Sequence, residues 1–277
     1  MAFREVRNPV VAIVEVETSA PLAARPSDLL IVGDSHAVAL GVPHSTEAPP
    51  EFVLLEAGPP RIFAVTEKWL GSRGAAYWDM VARHCAGRTV ALSWNGNQHN
   101  ASFLIAPEPM FDFVCPGAAT TAIHPGAVVL PAGVVRAYFR HTLWALDRTI
   151  RLLRAHGVGR VLVLGTPAPK RDGDFILTRI RTEAYFQDAA AAAGIDLGAI
   201  RITPAPIRQK LWALIQQMMA DIAVREGTTF VPVPPETLDP DGTLKRQYWQ
   251  DDTTHANRAY GNRVRQQLER IVLEGPD

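Results

Sequence analysis

The sequence lacks net charge and has very little cysteine. Lys plus Arg and Asp plus Glu number 28 each, so the chain does not show the basic excess of a duplex-binding protein. We therefore expect no nucleic-acid partner. Cys85 and Cys115 are the only cysteines, and their spacing matches no zinc or redox motif. Two free thiols suit a reducing compartment, which favours a cytoplasmic location.

Long apolar runs are also missing. No window approaches the roughly 18 apolar residues of a membrane span, and residues 9–14 form a run too short for a signal peptide. Hydrophobic residues nevertheless make up 47% of the 277 residues, which excludes global disorder. No linker or repeat divides the chain, so we predict one domain over residues 1–277, with residues 1–27 as an N-terminal extension packed on it. The oligomeric state stays open.

Short apolar runs alternate with longer stretches of helical periodicity. The short runs are continuous, which is typical of strands buried on both faces of a parallel sheet. Strands that alternate with helices favour right-handed crossovers and a doubly wound sheet. The predicted strands are 29–32, 52–55, 89–94, 160–164 and 228–233, and the predicted helices are 75–85, 134–156, 178–193, 207–222 and 255–272.

The first polar segment at the end of a predicted strand is Gly33-Asp34-Ser35-His36. In doubly wound sheets, ligands bind beyond the carboxyl ends of the strands. A serine on a sharp turn from strand to helix is exposed at that edge, and its backbone N–H has no partner within the helix. Ser35 can therefore serve as a nucleophile and as one donor to an oxyanion. The alternative is that Ser35 only caps a helix.

Two further polar segments lie at the same predicted edge. Residues 94–100 follow the third strand and include Asn97, whose amide is a suitable donor to an oxyanion; the alternative is a simple Asx turn. Residues 251–257 precede the last predicted helix and contain Asp252 and His255. An Asp three residues before a His can fix the imidazole tautomer and stabilise the imidazolium. Because Asp-x-x-His is common by chance, only its position favours this interpretation over a helix cap and a surface histidine.

Together these segments resemble the SGNH/GDSL hydrolase family, whose four motifs carry Ser, Gly, Asn and His. Gly33-Asp34-Ser35 matches the first motif, and Asp252 with His255 matches the last. The resemblance extends over about residues 28–273. It implies a flavodoxin-like three-layer α/β/α fold with a five-stranded parallel sheet.

The two middle motifs match this family less closely. For the glycine of the second motif we prefer Gly74, with Gly71 as the alternative. Asn97 aligns with the asparagine of the third motif, but the usual neighbouring Gly and Asp are absent. His36 also stands where leucine is commoner in the family.

The resemblance implies ester cleavage through an acyl-enzyme on Ser35. In this mechanism His255 takes the proton of the serine, and Asp252 orients His255. The backbone N–H groups of Ser35 and Gly74 and the amide of Asn97 receive the oxyanion. The expected substrate carries a short acyl group, such as acetyl, on a carbohydrate or a small alcohol, and no cofactor is implied.

Other residues near these motifs are candidates for substrate contact. We expect His36, His99 and Trp249 to touch the substrate, although local hydrogen bonding or packing also explains them. Lys170 and Arg171 follow the fourth strand and either hold an anionic group or lie in a solvated loop. No His-x-x-x-His or Cys/His spacing indicates a metal site.

Other functions use the same residues or the same fold. An acyltransferase would use the same triad with an alcohol in place of water. A binding protein without turnover is favoured by the unusual third motif. A flavin or nucleotide binder is disfavoured, because residues 33–36 lack the density of glycine and hydroxyl groups that a phosphate cradle needs.

Overall fold

The computed structural model describes residues 23–68 and 74–275 as a mixed α/β fold. The strands are β1 (Leu29–Gly33), β2 (His44–Ser45), β3 (Phe52–Glu56), β4 (Ile62–Val65), β5 (Glu67–Lys68), β6 (Thr89–Ser93), β7 (Phe111–Asp112), β8 (Val128–Val129), β9 (Arg160–Leu164) and β10 (Thr229–Val231). The α-helices are α1 (Ala75–Cys85), α2 (Gln98–Phe103), α3 (Ala132–Thr142), α4 (Trp144–Ala155), α5 (Gly173–Thr182), α6 (Ala184–Ala193), α7 (Ala205–Arg225) and α8 (Arg258–Glu274). Short 3₁₀-helices cover Ser35–Leu40, Pro235–Thr237 and Arg246–Tyr248.

The central sheet has the strand order β10-β9-β6-β1-β4-β3. The first five strands in this order are parallel, and β3 pairs with β4 in the antiparallel direction at the edge. Helices cover both faces of the sheet, which confirms the predicted fold class. The chain runs from β1 to β4 on one side and then returns to β6 on the other. The ends of β1 and β6 therefore form the switch point at which such sheets bind ligands.

The second parallel strand was predicted at the wrong place. The sequence indicated residues 52–55, but these belong to the antiparallel edge strand β3. The strand that pairs in parallel with β1 is β4, which is buried throughout. Both runs are short and apolar, and periodicity alone does not tell which of two such runs enters the parallel sheet.

Two of the predicted helices are divided in the structure, and the last one begins later than predicted. The stretch 134–156 forms two helices, α3 and α4, which meet at Leu143, and the stretch 178–193 divides at Glu183 into α5 and α6. The buried stripe continues across Leu143, so the periodicity does not reveal the break. The last helix begins at Arg258, with Asn257 as its cap, so His255 lies in the preceding loop.

The N-terminal side of α8 packs closely against the 3₁₀-helix Ser35–Leu40. Gly261 allows this approach, because a Cβ there would overlap the backbone oxygen of Ala39. In this strand order, right-handed crossovers place α8 and the 3₁₀-helix on one face of the sheet and α1, α4 and α7 on the other. The helix that carries Ser35 is thereby held between the sheet and α8.

Some predictions fall outside the described residues. Residues 1–22 of the predicted N-terminal extension are among them, so its packing on the domain stays a prediction. Within the described ranges, no helix is both long enough and apolar enough to cross a membrane. Cys85 and Cys115 are free and buried.

Replacement of Gly33 tests the junction that precedes Ser35. Gly33 has a φ of +154°, and a Cβ on it would overlap the backbone oxygen of Ser93 in β6. We expect Gly33→Ala to lower the free energy of unfolding by about 1–3 kcal/mol or more, because the strained φ persists and one strand must also shift. Thermal and denaturant unfolding measure this loss.

Gly133→Ala is the matched control for this substitution. A Cβ at Gly133 meets nothing within 4 Å, and the residue lies in the first turn of α3 at an ordinary helical position that alanine can adopt. The control should be neutral or stabilising. If Gly33→Ala were as stable as Gly133→Ala, the close approach of Gly33 to Ser93 would not require a glycine, and the account of this junction would be contradicted.

Candidate active site

The structure brings Ser35, His255 and Asp252 together at the carboxyl edge of the sheet. Ser35 Oγ lies 2.8 Å from His255 Nε2, and His255 Nδ1 lies 2.8 Å from Asp252 Oδ2. Ser35 is exposed, and the side chain of His255 is 33% exposed. The three groups therefore form a continuous hydrogen-bonded chain that ends at an accessible hydroxyl.

The carboxylate of Asp252 folds its own loop as well as binding the imidazole. Its Oδ1 accepts the backbone N–H of Thr254 at 3.0 Å and that of His255 at 2.8 Å. The backbone N–H of Gln250 donates to the carbonyl oxygen of His255 at 3.0 Å and closes the loop. The turn therefore brings the imidazole of His255 within hydrogen-bond distance of Asp252 Oδ2.

The electrostatics of the pair keep Asp252 ionised. Burial by itself would raise the pKa of Asp252, but hydrogen bonds and charge from His255, together with the charge of Lys170, hold it well below its usual range. Burial would lower the pKa of His255, but the hydrogen bond and charge of Asp252 outweigh burial and raise it. An ionised Asp252 only accepts, so neutral His255 carries its proton on Nδ1 and Nε2 accepts from Ser35.

Lys170 is buried against the loop that carries Asp252 and His255. The sequence does not predict this position. It is 2% exposed, and its Nζ donates to the backbone oxygens of Gln250 and Asp252 and, at 3.2 Å, to Asp252 Oδ1. The expectation that Lys170 lies in a solvated loop or holds an external anion is therefore wrong. Arg171 is exposed and lies 3.3 Å from Asp241. The only available signal was the place of Lys170 after β9, because burial of a lysine cannot be read from local sequence.

The turn that presents Ser35 is fixed on both sides. Asp34 accepts the backbone N–H of His36 at 3.1 Å and donates its own N–H to the backbone oxygen of Ser93 at 2.9 Å. The hydroxyl of Tyr77 accepts the N–H of Gly33 at 2.8 Å and donates to its carbonyl oxygen at 3.1 Å. Ser35 is the first residue of the 3₁₀-helix, so its N–H has no partner within that helix.

Asn97 lies at the start of α2, after the end of β6. Its Oδ1 accepts from Asn100 Nδ2 at 2.7 Å, which orients the amide and directs its N–H₂ group away from Asn100. Asn95 has a φ of +64°, and its Oδ1 accepts from Gln98 at 2.9 Å. The segment thus contains both features weighed from the sequence, a left-handed asparagine in a tight turn and a separately oriented asparagine amide.

Of the two glycines considered for the oxyanion site, only Gly74 lies within the described residues. Gly74 directly precedes α1. Tyr77, one turn further along the helix, is bonded to Gly33, so the start of α1 is tied to the turn that carries Ser35. Gly71 falls outside the described ranges.

The three candidates for substrate contact have different surroundings. His36 is 5% exposed, and its ring centroid lies 4.7 Å from that of His255. Burial and the neighbouring His255 hold the pKa of His36 well below its usual value. His99 is fully buried in α2, and burial lowers its pKa to about 3. Trp249 donates its indole N–H to the backbone oxygen of Leu244 at 2.7 Å and is covered by Arg246, 4.3 Å from the ring centroid.

Among the described residues, no group of three or more His, Cys, Asp or Glu side chains is placed to hold a metal ion. His36, His99 and His255 do not form such a group.

No family model matches this sequence, and no curated protein matches it. Similar solved structures include a catalytic mutant of an acetylxylan esterase from Geobacillus stearothermophilus, with 11% identity over 90% of this chain and 95% of that chain and a TM-score of 0.46. An extracellular lipase from Streptomyces rimosus has 14% identity over 87% of this chain and 99% of that chain, with a TM-score of 0.42.

The carboxyl of Asp34 makes the stability of the fold depend on pH. Burial raises its pKa from 3.8 to about 6, although the N–H of His36 and the charge of His255 oppose this. As the pH rises from 3.8 to 6, the unfolded chain loses this proton first, so ionisation favours unfolding across that window. Asp34→Asn keeps an acceptor for His36 without the charge, and we expect it to raise the unfolding midpoint at about pH 8 but not below about pH 4.

Asp172→Asn is the control for this variant, because Asp172 caps α5 at an exposed position. It should show no comparable gain at the higher pH. An equal change of midpoint for Asp34→Asn at both pH values would contradict the account.

Proposed function

We propose that this protein is a serine esterase that cleaves its substrate through an acyl-enzyme on Ser35. The observation that carries the proposal is the relay in which Ser35 Oγ and Asp252 Oδ2 each lie 2.8 Å from opposite nitrogens of His255. A hydroxyl becomes an effective nucleophile when an adjacent base takes its proton and a third group orients that base.

Acylation begins when Ser35 Oγ attacks the ester carbonyl carbon and its proton passes to His255 Nε2. Asp252 stabilises the imidazolium that forms, and His255 then gives the proton to the leaving alcohol. Water attacks the acyl-enzyme in the second half, again with His255 as the base, and Ser35 is restored. The raised pKa of His255 supports this role, because it reflects stabilisation of the charged ring.

The oxyanion of the tetrahedral intermediate is received by the backbone N–H groups of Ser35 and Gly74 and by the amide of Asn97. The N–H of Ser35, which has no partner within the 3₁₀-helix, and the amide oriented by Asn100 support this assignment. One donor of this kind typically lowers the barrier by about 2.7–4 kcal/mol.

The proposed substrate is a short acyl ester, such as an acetyl ester, of a carbohydrate or a small alcohol. Exposed Ser35 and partly exposed His255 support an open site that leaves room for a bulky alcohol portion. His36 lies against His255 and is therefore a candidate contact beside the reacting groups.

Labelling with a fluorophosphonate tests the nucleophile. We expect the wild-type protein to be labelled once, on Ser35, and Ser35→Ala to remain unlabelled. Ser102→Ala is the control, because this exposed serine bonds Tyr138 rather than a histidine, and it should be labelled like the wild type. A folded wild-type protein that is neither labelled nor active on p-nitrophenyl esters of any chain length would instead indicate a binding protein.

Replacement of Asn97 tests the oxyanion site. We expect Asn97→Ala to lower kcat for p-nitrophenyl acetate by about two to three orders of magnitude, because one donor to the oxyanion is lost. Asn262→Ala, at an exposed position of α8, should keep the wild-type kcat. Near-normal turnover of Asn97→Ala would remove Asn97 from the mechanism.

A further inference from the structure

A buried cation lies directly behind the aspartate of the relay. The side chain of Lys170 is 1% exposed, and its ammonium lies 3.2 Å from Asp252 Oδ1. Burial of a lysine is unfavourable unless its charge is paired and its N–H groups find acceptors. The placement of Lys170 is therefore a feature that the fold maintains against a desolvation cost.

Hydrogen bonds hold the backbone on either side of the Lys170 side chain. The N–H of Leu244 donates to the carbonyl oxygen of Pro169 at 3.0 Å. The guanidinium of Arg208, itself 1% exposed, donates to the carbonyl oxygen of Lys170 at 2.5 Å and to that of Thr203 at 2.7 Å. The backbone that carries the ammonium is thus hydrogen-bonded on both sides of the Lys170 side chain.

The three N–H groups of the ammonium meet three acceptors in the loop. These are the backbone oxygen of Gln250 at 2.8 Å, the backbone oxygen of Asp252, and Asp252 Oδ1. His255 uses the other carboxylate oxygen, Oδ2. Lys170 therefore binds the aspartate without competing for the oxygen that orients the imidazole.

We propose that Lys170 is a positioning residue for the esterase reaction, and this rests on the proposed function. It holds the segment 250–252 and sets the rotation of the Asp252 carboxylate, so that Oδ2 faces His255. It acts through Asp252 and touches neither the substrate nor Ser35.

The charge of Lys170 also acts on the titration of His255. Asp252 and Asp34 favour the imidazolium, whereas burial and Lys170 disfavour it, and neutral His36 packs against the ring. Removal of the ammonium leaves the negative charges in place, so the pKa of His255 should rise. The acid limb of kcat/KM, where His255 loses its proton, should then move to higher pH.

The environment of Lys170 itself contains both signs of charge. Burial lowers its pKa, whereas Asp252 and Glu183 raise it and Arg246 lowers it. Glu183 is held close to the loop, because it accepts the hydroxyl of Thr253 at 2.7 Å. Phe175 and Trp249 cover the ammonium, with ring centroids 5.4 and 6.0 Å from Nζ.

The test is Lys170→Met, which keeps an unbranched side chain only one atom shorter and removes the charge and the donors. We expect kcat for p-nitrophenyl acetate to fall by about tenfold or more at nearly unchanged KM, well short of the roughly 10⁴-fold loss on disabling the aspartate of a triad. The acid limb of kcat/KM should move to higher pH. Arg171→Met, at the exposed neighbouring position, should leave kcat and the pH profile unchanged.

Titration of His255 by NMR measures the pKa change directly and does not depend on catalytic activity. A higher pKa of His255 in Lys170→Met than in the wild type supports the proposal, and equal pKa values with an unchanged kcat overturn it. If Lys170→Met does not fold, Lys170→Gln replaces it with the same expected directions. A folded wild-type protein that is neither labelled by a fluorophosphonate nor active would overturn the proposed esterase function, whereas an unchanged titration with an unchanged kcat would overturn only the role of Lys170.

Discussion

The site depends on the contacts of one carboxylate, that of Asp252. Its Oδ1 accepts two backbone N–H groups and so folds the loop, while its Oδ2 lies 2.8 Å from Nδ1 of His255. The orientation of the imidazole is therefore coupled to the conformation of the backbone that carries it. Because the carboxylate stays ionised, it fixes the tautomer that leaves Nε2 free to accept from Ser35. Every later step of the proposed chemistry uses that nitrogen.

Two buried cations and a buried histidine adjoin this loop. Lys170 and Arg208 are the cations, and their donors are taken by backbone oxygens and, for Lys170, also by Asp252. All three N–H groups of the Lys170 ammonium are bonded, and a buried polar network is rigid when its members are satisfied. His36 stays neutral and packs against His255.

Part of this site could be read from the sequence and part could not. The proximity of Ser35 to Asp252 and His255 is predictable, because the carboxyl ends of parallel strands meet at one edge and polar residues after separate strands come together. The position of β4 is not predicted, because residues 52–55 and 62–65 are both short apolar runs and periodicity does not tell which one pairs in parallel with β1. Lys170 and Tyr77 were missed because a lysine buried under a loop and a tyrosine bonded across α1 depend on tertiary contacts. The predicted start of α8 lies three residues before the observed start at Arg258, because the apolar periodicity is equally compatible with either residue.

The central claim is that Ser35 is activated by His255 in front of a preformed oxyanion site. A crystal structure of the protein after reaction with a fluorophosphonate tests this claim most directly. The account predicts phosphorus bonded to Ser35 Oγ, with its phosphoryl oxygen within hydrogen-bond distance of the N–H of Ser35 and the amide of Asn97. Phosphorus on another residue, or a phosphoryl oxygen that points to solvent with both donors unused, would contradict it.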